Sequence, residues 1–379
     1  MNEMVVGLHR NAQVKVDLGA IKHNISAELK RMGKEQELFA VVKANAYGHG
    51  IIPVAKAAKE AGATGFCVAL IDEGIALRQA NLAGTILILG VTPAKDAVLM
   101  AENELSTAVG DLEFLQTSAP LLAQAGKKLK VHLALDTGMG RIGFRKQATL
   151  KQALDFLAKH PKEFEFEGIF THFATADAKD ESHYQKQLAK FNELMAVVSH
   201  KPRYVHVANS AAAMWHDDCG GNVIRYGITM YGLNPSGDEL TLPTTIKPAL
   251  SFESELVFVK QLVPGDTVGY GKTYTAKTTE WVGTVPVGYA DGWLRRMQGY
   301  HVLIAGELCE IIGRVCMDQF MVRLPRKLPL GTKVTLIGQD GTKQVTAQMA
   351  AQYAKTINYE IICNLSERLP RYYENNGVN

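Results

Sequence analysis

The feature that most constrains this chain is an alternation. Short β-branched and apolar runs recur through its first two-thirds at Leu38–Lys43, Gly65–Ile71, Thr85–Gly90, Leu105–Val109, Lys130–Leu135, Phe166–His172, Tyr204–Ala208 and Val223–Tyr226. Amphipathic stretches of helical length, such as Ile51–Glu60 and Tyr184–Val198, fall between them. Parallel strands need a crossover that is usually a helix, so eight such runs predict an α/β chain with a (β/α)8 TIM barrel over residues 12–245. An open doubly wound sheet is the competing arrangement, but no GxGxxG follows the first run. From about Phe252 the texture changes to strand-like runs (Leu256–Val263, Val302–Ala305, Lys333–Gly338) broken by Gly, Asp-Gly and Pro. That predicts a C-terminal all-β domain over 246–379, on which residues 1–11 can pack, with the boundary in the Pro-, Ser-, Thr- and Gly-rich segment 234–247.

Composition supports this division and narrows the function. At ~150 residues per domain, 379 residues suggest two to three domains, and 47% hydrophobic with 21% charged residues excludes disorder and fibrous architectures. Lys and Arg total 41 against 38 Asp and Glu, a net +3 without a basic run, which argues against a nucleic-acid or polybasic membrane surface and for a small-molecule partner. The five cysteines, Cys67, Cys219, Cys309, Cys316 and Cys363, are odd in number and contain no CxxC, which fits neither a disulfide framework nor a thiolate zinc site. The opening MNEMVVGLHR lacks a signal-peptide run, and no apolar stretch approaches the ~18 residues that span a bilayer. The expectation is a soluble protein of the reducing cytoplasm.

In a barrel of this kind chemistry sits where strands end. The first run ends at Lys43 in Val-Val-Lys-Ala-Asn-Ala-Tyr-Gly-His-Gly, and the fifth runs into Asp136-Thr-Gly-Met-Gly-Arg141. The sixth ends at His172, the seventh at Asn209-Ser210, and the eighth carries Arg225 before Gly227. One amine, two guanidinium groups and an imidazole then ring one opening. Most lysines are solvated surface charges, but one flanked by Val41 and Val42 can lose its proton and attack an aldehyde, as in a Schiff base with pyridoxal phosphate. Phosphate donors belong in the loops after the last two strands: Ser210 as N-cap of a helix Ala211–Trp215, and Gly227, whose backbone lets an anion approach. Tyr47 can donate from the first loop. A metal reading of His132 and His172 fares poorly, since no HxH or HExxH occurs. His172 reads better as a hydrogen-bond relay, or as a satisfied structural histidine.

On these motifs the sequence resembles the alanine racemases, fold-type III pyridoxal phosphate enzymes. The similarity also takes in Thr171–Asp177, Ala208–Ala211, Arg225–Gly232, Gly269-Tyr270-Gly271, Gly288–Trp293, Gly313–Asp318 and Thr356–Glu360. The resemblance implies interconversion of L- and D-alanine on pyridoxal 5'-phosphate by two bases, supplying D-alanine for cell-wall peptidoglycan. It makes Lys43 the Schiff-base lysine and one base, and Tyr270 the other. It gives the phosphate to Tyr47, Ser210, Gly227, Ile228 and Tyr359, with Asn209 beside them among the cofactor-binding residues, and it sets Arg225 against the pyridine nitrogen with His172 linking Arg225 to Tyr270. Arg141 and the Met317 backbone take the substrate carboxylate, while Tyr289, Arg295 and Arg314 line the approach. It further implies a head-to-tail homodimer in which Tyr270 and Met317 act in trans. One position departs: where the family often has a lysine, carbamylated in many members, this chain has Ala134. Another group, a chloride or a water, must then position Arg141. A basic amino-acid decarboxylase of the same fold type and a non-catalytic pyridoxal phosphate carrier are the competing readings, and the segments around Tyr270 and Met317 argue against both.

Overall fold

A computed structural model describes residues 5–216 and 220–376; Cys219 lies outside the described residues. The chain divides into two compact units, one of Ala20–Ala46 and Ile51–Lys247, the other of Met1–Gly19, Tyr47–Gly50 and Pro248–Asn379.

The second unit begins with β1 (Ala12–Asp17), and the first contains β2 (Glu37–Val41), β3 (Gly65–Val68), β4 (Thr85–Ile88), β5 (Ser106–Val109), β6 (Leu129–Ala134), β7 (Phe164–Phe170), β8 (Tyr204–His206) and β9 (Val223–Tyr226). Strands β2 to β8 pair in chain order, all parallel, and β9 returns to β2. Between β8 and β9 the ring is joined by the Arg225 N–H donating to Ala208 O at 3.0 Å and by a bridge between Asn209 and Arg225. The result is a nearly closed TIM-like barrel. Its strands are buried on both faces, as β3 and β9 show by being buried throughout, because one face meets the barrel interior and the other the helices. The expected helix Ile51–Glu60 forms, and the second runs over Ser182–Met195.

Strand β7 pairs Phe166 with Val131 and Gly168 with His132, so Glu167 is an extra residue. That is a β-bulge, a device that re-aims a side chain.

The sequence assigned residues from 12 onward to the barrel; the structure places β1 in the other unit. There β1 pairs antiparallel with Leu250–Glu255 and parallel with Arg371–Glu374, within a ten-stranded, mostly antiparallel sheet. The reason is visible in its pattern. Ala12, Val14 and Val16 are fully buried and alternate with Gln13, Lys15 and Asp17, which fits a sheet covered on one face rather than a barrel strand covered on two. The unit is also not wholly β, since the helices Ala347–Tyr353 and Asn358–Cys363 pack within it. No helix among the described residues is long and apolar enough to cross a membrane.

Candidate active site

Lys43 stands where β2 leaves the sheet. The Val42 N–H still donates to Cys67 O at 2.9 Å, and the chain then enters a single left-handed turn. Ala44, Asn45, Ala46 and Tyr47 all have φ of 52° to 53°. A left-handed conformation costs a Cβ-bearing residue roughly 1–2 kcal/mol, so four in succession persist only where surrounding bonds over-determine them. Those bonds are present. The Ala44 N–H donates to Glu73 Oε1 at 2.7 Å, the Ala46 N–H to Val42 O at 2.8 Å, and Asn45 Oδ1 accepts from the Ile51 N–H at 2.8 Å. The lysine is therefore held by a stiff, strained segment.

Arg225, on β9, is 3% exposed. Its Nη1 donates to His206 Nδ1 and to His206 O, each at 2.8 Å, and its Nη2 donates to Thr171 O at 2.9 Å and to His172 Nδ1 at 3.3 Å. Since a guanidinium only donates, His172 must accept at Nδ1 and carry its proton on Nε2. Burial, and then the positive charges of Arg225, Arg141 and Lys43, push the His172 imidazolium well below its usual range. His172 is thus neutral at physiological pH, and its imidazole feels the charges of the other three expected groups, Arg225, Arg141 and Lys43.

The two loops expected to take phosphate adjoin, with the Gly227 N–H donating to Ser210 Oγ at 2.8 Å. Ser210 is not the helix cap that the sequence suggested: the helix runs Ser210–Trp215, and Asn209 caps it by accepting from the Ala212 N–H at 2.9 Å. The hydroxyl is thereby released from capping and turned toward Gly227, with Ile228 following in a 3-10 turn. The loop carrying Arg141 is folded by Asp136, whose Oδ1 accepts from the Gly138 and Gly140 N–H groups at 3.1 and 2.9 Å. Ala134 lies in an apolar cluster with Ala108 and Phe170, against which Leu89 and Ile142 pack. The carboxylates that share a cavity with Arg141 are instead Asp111 and Glu113.

The remaining expected residues stand on the other unit. Tyr270 begins a tight turn between Gly269 and Gly271, whose φ values of 72° and 75° suit glycine, and a Cβ on Gly271 would touch the Arg314 guanidinium at 3.0 Å. The Tyr289 and Ala290 N–H groups donate to Cys316 O and Met317 O, each at 3.0 Å, and the positive charge of Arg295 acts on the Cys316 thiol, whose pKa burial nevertheless raises. Arg314 and Met317 lie three residues apart, so Tyr270, Tyr289, Arg295, Arg314 and Met317 form one cluster. Tyr270 is 67% and Met317 53% exposed. Asp291, fully buried, holds the Tyr289 turn through the Gly288 N–H and a two-bond pair with Arg10 at 2.6 and 2.9 Å. Tyr47 and Tyr359 meet within this unit, their ring centroids 6.1 Å apart.

Sequence reasoning missed a line of polar groups behind Arg225. His206, His132, Glu167 and Ser106 are all buried, and consecutive hydrogen bonds join them. The available signal was a buried Ser, His, Glu or Arg in each strand from β5 to β9: Ser106, His132, Glu167, His206 and Arg225.

Two family models match in register with the two units: "Alanine racemase, N-terminal domain" over residues 16–235 and "Alanine racemase, C-terminal domain" over 249–373. The alanine racemase of Ligilactobacillus salivarius is 61% identical, with 98% of this chain and all of that protein aligned. The crystal structure of alanine racemase from E. faecalis superposes with a TM-score of 0.96 at 52% identity, covering 98% of this chain and 100% of that one. A histidine racemase from Leuconostoc mesenteroides superposes with a TM-score of 0.92 at 32% identity, again covering 98% and 100%.

Proposed function

The chain belongs to the alanine racemase family, and from that premise we propose that it interconverts L- and D-alanine on pyridoxal 5'-phosphate, with Lys43 and Tyr270 as its two bases. The donor set fits this cofactor. Ser210, Gly227 and Ile228 on the barrel, with Asn209 beside them and Tyr47 and Tyr359 on the other unit, are the residues that would hold the phosphate. Bound there, pyridoxal phosphate supplies an electron-withdrawing ring that acidifies the α-hydrogen of an amino acid.

The observation that carries the reaction type is Arg225. Arg225 is buried and fixed by His206, Thr171 and His172; since a guanidinium does not give up its proton, a pyridine nitrogen held against it would stay unprotonated and withdraw electrons less, which would suit proton exchange and disfavour transamination. Racemisation requires removing the α-proton from one face and returning one to the other. Lys43 Nζ serves one face and Tyr270 Oη the other. Both groups ordinarily titrate near ~10 and need help to act as bases. His172 Nδ1 accepts from Arg225, so its Nε2–H would be available to donate to the Tyr270 oxygen where that residue serves a barrel, favouring its role as a base. Arg141 and the Met317 backbone take the substrate carboxylate, and Tyr289, Arg295 and Arg314 line the approach. The exposure of Tyr270 and Met317 in the single chain supports a homodimer in which they serve the partner's barrel.

Polarimetry on a panel of L-amino acids, histidine included, tests the reading. Added pyridoxal phosphate should permit loss of rotation for alanine, and Tyr270→Phe should slow it by ~10² to 10⁴ while leaving the cofactor bound. A yellow protein that exchanges no α-hydrogen of alanine in deuterated water would overturn it.

A further inference from the structure

Five polar side chains cross the interior of the barrel where an apolar layer would pack without desolvation cost. Their order of donation is dictated by chemistry. Arg225 only donates, so His206 Nδ1 accepts and its proton sits on Nε2. That proton is given to His132 Nδ1 at 2.8 Å, which puts the His132 proton on Nε2, where it is given to Glu167 Oε2 at 2.9 Å. Ser106 Oγ donates to the same oxygen at 2.5 Å, and Lys130 Nζ lies 3.7 Å from the other. Burial alone would raise the Glu167 carboxyl, but His132, Ser106 and Lys130 outweigh it and keep it ionised. The backbone is adapted to the same end. The bulge on β7 is at Glu167, and a Cβ on the next residue, Gly168, would overlap the His132 imidazole.

We infer that Glu167, His132 and His206 are positioning residues: a one-way hydrogen-bonded chain through the barrel that fixes the imidazole tautomer facing Arg225 and so aims its guanidinium. This rests on the reading of Arg225 as the group that faces the cofactor ring. With the carboxylate gone, nothing requires the His132 proton to remain on Nε2. If it moves to Nδ1, His206 turns a proton toward Arg225, donor meets donor, and the guanidinium must shift.

The test uses Glu167→Gln, which keeps an acceptor for both His132 and Ser106, against Glu167→Leu, which removes it. Nitrogen-15 spectra of histidine-labelled protein without cofactor should show His132 and His206 protonated on Nε2 in the wild type and in Glu167→Gln, and altered tautomers in Glu167→Leu. In the loaded enzyme Glu167→Leu should move the cofactor's visible absorption band and lower kcat/KM by about tenfold to a hundredfold, the scale seen when outer partners orienting a working group are removed, while Glu167→Gln stays near wild type. Gly168→Ala, which keeps every member of the chain but crowds His132, should repeat the Leu result and serves alone if the Leu variant does not fold. A folded Glu167→Leu or Gly168→Ala protein with wild-type imidazole signals and an unmoved band overturns the inference. Arg225→Lys separates it from its premise. If that change leaves the band unmoved, the reading of Arg225 fails; if it moves the band while the Leu and Ala variants do not, only the positioning chain fails.

Discussion

Arg225 and Lys43 show what a single residue can and cannot reveal. Lys43 was legible because an amine at the end of an apolar strand is chemically out of place. Arg225 was legible as a charge but not as one end of a buried line, because His206 and Glu167 interrupt strands that otherwise read as core. Sodium borohydride reduction of the loaded enzyme, followed by peptide mapping, should place the phosphopyridoxyl label on Lys43; a label on any other lysine removes it from the mechanism. The histidines carry a second consequence. Burial first, and then Arg225, hold His172 and His206 well below the ordinary 6.5, and burial lowers His132 despite Glu167. Above that value folded and unfolded chains alike keep these rings neutral. Below it the unfolded chain takes up protons that the fold refuses, so stability is lost as pH falls, by up to ~1.4 kcal/mol per pH unit for each ring. Glu167, held below 4.5, extends the loss to lower pH. The melting temperature of the unloaded protein should therefore fall steadily from roughly pH 7 to pH 5; a flat profile would mean that the rings are charged in the fold.

At the scale of elements, apolar runs identified all eight barrel strands, because a strand covered on both faces has little choice of residue. Features set by one backbone conformation stayed hidden. The stretch Lys43–Tyr47 has the composition of an ordinary helix or loop, and nothing in it announces four consecutive left-handed residues. The bulge at Glu167 is likewise invisible to a pattern that counts alternation. Strand β1 was misplaced although its two-residue period was there to read. The left-handed turn makes its own prediction at Ala44, which is exposed at φ 52°. Ala44→Gly removes the Cβ penalty of ~1–2 kcal/mol and adds ~0.5–1 kcal/mol of chain entropy, so it should be neutral to stabilising by up to ~1.5 kcal/mol. Ala44→Val, β-branched at a positive φ, should destabilise by more than ~1 kcal/mol. Thermal melts of the two variants decide it; a Val variant as stable as the parent would show that the turn carries no such strain.

At the scale of the molecule, the change of texture near Phe252 separated the two units, but assembly leaves no period or motif in a sequence. The proposed bases stand on different units, Lys43 on the barrel and Tyr270, 67% exposed, on the other. If Tyr270 serves the partner's barrel, two inactive proteins can repair each other. Mixing Lys43→Ala with Tyr270→Phe subunits should place wild-type Lys43 from one chain with wild-type Tyr270 from the other in one site of each heterodimer, while the second site carries both lesions. Free exchange makes about half of the dimers mixed, each with one working site of two, so activity should recover to roughly a quarter of wild type. Were the two residues to act within one chain, every site would keep a lesion and the mixture would stay inactive. Exchange is followed independently by a mass difference between the subunits, so silence after proven exchange excludes the shared site, and recovery near a quarter requires it.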